Sequence, residues 1–123
     1  MESSLLEFLS THPLFQNLEK TEIESLDHLV TEEDIPASSY IFLEEEAAHH
    51  FYILKEGLLQ AKIGAKLLTT IKPGQFFGEI AMLNESYRTG SVYAVENSRV
   101  IKVDGKELIH GNSVPVEISF KKL

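Results

Sequence analysis

One stretch constrains this chain more than any other: Lys72-Pro73-Gly74-Gln75-Phe76-Phe77-Gly78-Glu79-Ile80-Ala81-Met82-Leu83, then Asn84-Glu85-Ser86-Tyr87 and Arg88-Thr89-Gly90-Ser91-Val92. Pro73-Gly74 ends a strand, Gly78-Glu79 opens a short helical turn, polar residues close it, and the chain returns to strand through Arg88. Gly78 lets a ligand approach the backbone closely, and the amides of Glu79 to Ala81 lie at the unpaired start of the helix. Such amides suit a phosphate. Arg88 follows after a loop just long enough to turn back, so its planar fork can meet the same phosphate from the opposite side with two parallel hydrogen bonds. Glu79 would repel that anion unless it binds another part of the ligand, such as a sugar hydroxyl. A phosphate and a hydroxyl side by side point to a nucleotide. Singly, a Gly-Glu turn and a loop arginine are ordinary surface features, and it is their joint occurrence before the strand at 91–95 that carries the reading.

Composition narrows the setting. A length of 123 residues supports one domain with one core, and a hydrophobic share of 43% agrees. Cysteine is absent, which removes disulfides and thiolate metal sites and fits a reducing compartment. No apolar run approaches the ~20 residues of a membrane span, and Met1-Glu2-Ser3-Ser4 lacks the basic start of a secretion signal, so a cytoplasmic location is expected. A net charge of −8 argues against a nucleic-acid surface, which draws its affinity from clustered Lys and Arg. It also makes Arg88 conspicuous, because an anionic ligand must overcome the long-range field through local donors.

Leu5, Leu6, Phe8 and Leu9 form a short apolar helical patch that must stop before Pro13. From Thr21 to Val30, the residues Ile23, Leu26, Leu29 and Val30 fall on one helical face, with His28 on the solvated side. Beyond Thr31 the pattern changes to short strands separated by turn residues, predicted at 31–35, 40–43, 51–55, 58–63, 66–71, 91–95 and 98–103. Gly64 stands at the first turn position of a hairpin in Ile63-Gly64-Ala65-Lys66, where positive φ is needed. Asp104 is the predicted N-cap of a short helix ending at Gly111-Asn112, and the tail through Val116, Phe120 and Leu123 is read as helix over strand. The fold class is mainly β with flanking α: a Greek-key or jelly-roll sandwich as a single domain over 1–123. Residues 1–30 form a helical lead-in, 31–103 a β-roll with the cassette at 74–92, and 104–123 a short helical segment.

Phe77-Gly78-Glu79-Ile80-Ala81-Met82-Leu83 followed by Arg88-Thr89-Gly90-Ser91-Val92 resembles the phosphate-binding cassette of the cyclic-nucleotide-binding domain. That family includes regulatory subunits of cyclic-nucleotide-dependent kinases, cyclic-nucleotide-gated channels and catabolite-activator-type transcription factors. Pro13-Leu14-Phe15 and Leu18 are similar to the helical lead-in the family commonly has. The resemblance implies that Glu79 takes the ribose 2′-hydroxyl, Arg88 the cyclic phosphate, and the backbone of Gly78, Ile80, Ala81 and Thr89 completes the cradle. It also implies that Ala61, Leu68, Thr69 and Val92 pack the sugar and base, although each is equally well explained as core. Thr89 leaves the ligand open between cAMP and cGMP, because the family uses a hydroxyl there for guanine and, in bacteria, for adenine too. Gly90 stands where Ala is usual and gives the backbone more freedom.

Glu44-Glu45-Glu46-Ala47-Ala48-His49-His50 gathers carboxylates and imidazoles in one loop, where the family has a Gly-Asp turn followed by an Asp. Adjacent histidines on a strand would face opposite sides, unlike the metal ligands of a cupin-type barrel, so the loop reads as solvated and acidic. No metal or other cofactor is expected, and no catalytic constellation is legible. The expected partners are a cyclic nucleotide and an effector domain or protein not encoded in this chain, with no nucleic acid and no membrane span; a homodimer is admitted. The chain ends before a full lid over the base, and no helix-turn-helix, kinase or channel segment is read in it. The alternative is a degenerate domain of the same fold that serves as an interaction module without nucleotide.

Overall fold

The computed structural model describes residues 1–110, so the predicted helix after Ser113 lies outside the described residues. The described chain forms eight strands: β1 Val30–Ile35, β2 Tyr40–Phe42, β3 Phe51–Glu56, β4 Leu59–Ile63, β5 Lys66–Ile71, β6 Phe76–Phe77, β7 Ser91–Ala94 and β8 Ser98–Val103. They pair antiparallel in two sheets of four, ordered β1-β8-β3-β6 and β2-β7-β4-β5. This alternation of strands between two sheets is the jelly-roll arrangement.

The pleat explains how one sheet serves two cores. On β3, Phe51 and Ile53 pack with the N-terminal helices, while Tyr52 and Leu54 face the second sheet. On β8, Ile101 and Val103 join the first group and Val100 the second. Successive side chains point to opposite faces, so a strand covered on both sides loses its polar alternation and reads as a continuous apolar run. Phe51-Tyr52-Ile53-Leu54 is such a run, buried throughout.

The helical lead-in covers the outer face of the β1-β8-β3-β6 sheet. Helix α1 runs Ser3–Thr11 and stops ahead of Pro13, which opens a 3-10 turn over Pro13–Phe15. Helix α2 spans Lys20–Glu24 and starts on a reciprocal cap, with Glu22 accepting from the Glu19 amide at 3.0 Å. The single helical face predicted from Thr21 to Val30 is not formed. The helix ends at Glu24, a 3-10 turn covers Asp27–Leu29, and Val30 begins β1. Ile23, Leu26 and Leu29 recur every third residue, a spacing that 3-10 turns satisfy as well as an α-helix does, and all three are buried. Ile63 pairs with Lys66 across the predicted hairpin, and Gly64 has φ +58°. Helix α3 covers Glu79–Leu83 and α4 covers Gly105–His110. Asp104 Oδ1 accepts from the Glu107 amide at 3.0 Å, as the N-cap reading requires. Among the described residues, no helix is long and apolar enough to cross a membrane.

Candidate functional site

The site is assembled where β6 gives way to α3. Phe77 pairs with Tyr52 of β3, and Gly78 then turns the chain out of the sheet at φ 80° and ψ 3°. Only glycine takes this left-handed geometry without strain. A Cβ at Gly78 would also sit 3.0 Å from Arg88 Nη1 and 3.4 Å from Phe42 Cε2, so the missing side chain is what lets Arg88 lie against the turn.

Arg88 is a cation enclosed by protein, with 5% of its surface exposed. Its Nη1 donates to the Gly78 carbonyl at 2.5 Å and its Nη2 to the His50 carbonyl at 2.6 Å. The guanidinium carbon lies 4.0 Å from the centroid of the Phe42 ring. Burial lowers the Arg88 pKa from its usual value, while Tyr52, Glu46 and Glu79 pull it back up, and the group stays charged. Burial raises the Tyr52 pKa against the opposing effect of Arg88, and burial, followed by the Lys102 charge, lowers that of His50. Glu79, in the first turn of α3, is 4% exposed despite its charge.

The acidic loop does more than face solvent. Glu45 N donates to Arg88 O at 2.7 Å, and Arg88 N donates to Glu46 O at 2.8 Å. Glu44 Oε1 accepts from the Gly64 amide at 2.5 Å, and Glu44 N donates to Ser91 Oγ at 2.9 Å. Glu45, Glu46, Ala47 and His49 expose their side chains as predicted, but the backbone of the loop clamps the arginine. Among the described residues, no group of three or more His, Cys, Asp or Glu is placed to hold a metal ion.

A cavity of about 500 Å³ opens beside Arg88. Gly78, Glu79, Ile80, Ala81, Arg88 and Thr89 line its α3 side. Gly90, Ala61, Leu68, Thr69 and Val92 line the sheet side, where Ala61 sits directly opposite both Thr69 and Val92 across the strands. The cavity thus brings together every residue predicted for the site. Ile80 has 65% of its surface exposed where it lines the cavity. The reason for Gly90 differs from the one read in the sequence. A Cβ there would meet the Lys62 carbonyl oxygen at 2.7 Å, so glycine answers to close approach of β4 rather than to a need for backbone freedom.

Among the lining residues not predicted for the site, Phe42 and His12 have distant partners. Phe42 looked like any inward strand residue, and nothing in its neighbourhood marks a partner for a cation. His12 is buried at the rim: Nδ1 accepts from Leu14 N at 3.1 Å and Nε2 lies 2.7 Å from Gly74 O. Since Nδ1 is an acceptor, the ring proton belongs on Nε2 and is donated to Gly74, which ties the helical lead-in to the turn before β6. A lone histidine ahead of a proline carries no sequence signal for this.

Comparison with known proteins bears on the family and the fold. A family model described as the cyclic nucleotide-binding domain matches residues 32–110. The cGMP-dependent protein kinase 2 of Mus musculus is 30% identical over 96 residues, which make up 78% of this chain and 13% of that protein. A cAMP-dependent protein kinase regulatory subunit of Hypocrea atroviridis is 30% identical over 110 residues, covering 89% of this chain and 24% of that one. The chain therefore spans less than a third of the length of these two relatives. Among solved structures, the regulatory domain of Toxoplasma gondii PKA with cAMP superimposes with a TM-score of 0.74 at 22% identity, covering 87% of this chain and 43% of that one; it shows the shared fold.

Proposed function

Because the chain belongs to the cyclic nucleotide-binding domain family, we propose that it is a cytoplasmic regulatory domain that binds cAMP or cGMP reversibly in the cavity beside Arg88. It is a binding domain and not an enzyme. The observation that carries this reading is the enclosed Arg88 guanidinium, bonded to the Gly78 turn that opens α3 and bordering the same cavity as the start of that helix, in a molecule of net charge −8. Arg88 and the amides of Ile80 and Ala81 take the cyclic phosphate, with the backbone of Gly78 and Thr89 completing the cradle. Glu79 takes the ribose hydroxyl. Ala61, Leu68, Thr69, Gly90 and Val92 form the wall for sugar and base. The names of the relatives support both nucleotides, one kinase being cGMP-dependent and another cAMP-dependent.

Binding passes to an effector through the terminal helices. Helix α4 packs so closely on α3 that a Cβ at Gly105 would meet Met82 Cε at 2.5 Å, so a shift of the cradle is felt at the start of α4. A ligand moves that equilibrium only by contacting its two arrangements unequally. The test is titration calorimetry with both cyclic nucleotides. Arg88→Ala should weaken binding by roughly 2 to 4 kcal/mol, because the phosphate loses its charge-assisted donors. Equal affinities for variant and parent would overturn the assignment.

A second reading, an interaction module that binds no nucleotide, is favoured by one observation: Arg88 already carries two carbonyl partners. Thermal melting separates the two, since a ligand at 100 times its dissociation constant adds about 2.7 kcal/mol to native stability. No shift with millimolar cAMP or cGMP would select the module.

A further inference from the structure

We propose that Phe42 is a positioning residue for anion binding: its ring holds the Arg88 guanidinium in the plane from which it meets a phosphate. The proposal rests on the nucleotide reading of the cavity. An arginine fork recognises a phosphate through parallel in-plane hydrogen bonds, so the orientation of its plane matters as much as its charge. Two in-plane contacts are fixed by the carbonyls of Gly78 and His50. Those two leave the guanidinium free to rock about the line joining the two oxygens, and the Tyr52 ring, 6.0 Å from the guanidinium carbon, sits only at the edge of cation–π reach. The Phe42 ring, 4.0 Å below the guanidinium carbon and well inside the ~6 Å reach of a cation–π contact, removes that freedom.

Phe42 is itself held. Its centroid lies 5.8 Å from that of Tyr52 and 6.3 Å from that of Phe77, and those two rings stack on each other at 5.3 Å. The strand is also bent to present it. Tyr40 pairs with Tyr93 and Phe42 with Val92, so the β2–β7 ladder slips by one residue between them. Such an irregularity re-aims a side chain. Phe42 is half-buried, and it packs against the second core on one side while lining the cavity. Gly78 completes the arrangement by leaving room for both Arg88 and Phe42 where a Cβ would crowd them.

The experiment measures affinities for cAMP and cGMP, and for adenosine and guanosine, which lack the phosphate, in the parent, Phe42→Leu and Phe42→Tyr. Each substitution is also made in the Arg88→Ala background. Phe42→Leu should weaken cyclic-nucleotide binding about tenfold, a size in keeping with a desolvated cation–π pair. Phe42→Tyr should stay within about threefold of the parent, since a tyrosine ring offers the same face to the cation. Nucleoside affinity should not change, and in the Arg88→Ala background Phe42→Leu should add nothing, because the partner is gone. Equal losses for nucleosides and cyclic nucleotides, or the same loss with and without Arg88, would reduce Phe42 to packing and overturn the proposal while leaving the nucleotide reading intact. If the parent binds neither cyclic nucleotide, both readings fail together. Should Phe42→Leu not fold, Phe42→Met fills the space with an unbranched chain and takes its place. A readout without ligand accompanies it: the Arg88 side-chain N–H proton signals should lie upfield in the parent and in Phe42→Tyr and lose that ring-current shift in Phe42→Leu or Phe42→Met. Unshifted signals in the parent count against the stacking.

Discussion

Gly57 and Gly64 both adopt positive φ, at +105° and +58°, yet they answer to different constraints. Around Gly64 a Cβ would meet nothing, so Gly64→Ala should cost about 1 kcal/mol, the penalty of the left-handed region alone. A Cβ on Gly57 would lie 2.1 Å from Ser98 Oγ and 2.6 Å from Ser98 Cα, and a backbone atom in a central strand cannot step aside. Gly57→Ala should therefore cost about 3 kcal/mol or more, and equal denaturation midpoints for the two variants would refute this account. His50 supplies a pH dependence whose sign follows from burial. Its folded pKa is held below the usual 6.5, so between those values the unfolded chain binds more protons than the folded one. That contribution to stability is present above pH 6.5 and is lost as pH falls through the depressed folded value. His50→Gln should flatten this part of the stability curve in acid denaturation followed by circular dichroism. It should do so without loosening Arg88, because the contact at position 50 is made by the backbone carbonyl.

Which elements could be read from the sequence depended on whether their physics is local. Strands β3, β5 and β8 were legible from apolar runs bounded by turn residues, and the β4–β5 hairpin from Gly64. Strand β6 was not, because two residues, Phe76–Phe77, are too short to show alternation and exist only through pairing with β3. The division of the Ile23–Val30 face into helix, 3-10 turn and strand was hidden for a related reason: Val30 is drawn into β1 by its partner Val103. Gly78, Glu79 and Arg88 stood out because they carry distinct chemistry at fixed spacing, and all three line one cavity. Phe42 and His12 were not, since each acquires its role from residues far away in sequence. Helix α4 is local in its start, and its cap gives a clean test. Asp104→Ala removes the acceptor of the Glu107 amide and should lower stability by about 1 kcal/mol. Asp104→Asn should restore most of it, as an amide oxygen caps nearly as well, and a loss with Asn equal to that with Ala would show that the carboxylate's charge and not capping was responsible.

At the scale of the whole molecule, the charge of −8 and the buried Arg88 act on an anionic ligand in opposite senses and over different distances. The excess of carboxylates repels a cyclic nucleotide throughout its approach, and salt screens this field once separations exceed a Debye length of about 8 Å at 0.15 M. On the proposed reading, the Arg88 contact would form only at the end, in an enclosed site that salt screens far less. Association should therefore quicken as ionic strength rises, by about threefold between 10 and 150 mM, while dissociation changes little. This is the reverse of what a basic, electrostatically steered site shows. Stopped-flow binding of a fluorescent cyclic nucleotide across a salt series at fixed pH would measure both rates. An association rate that falls with salt would mean that the ligand enters through a locally positive surface, and that the net charge of the chain does not govern the encounter.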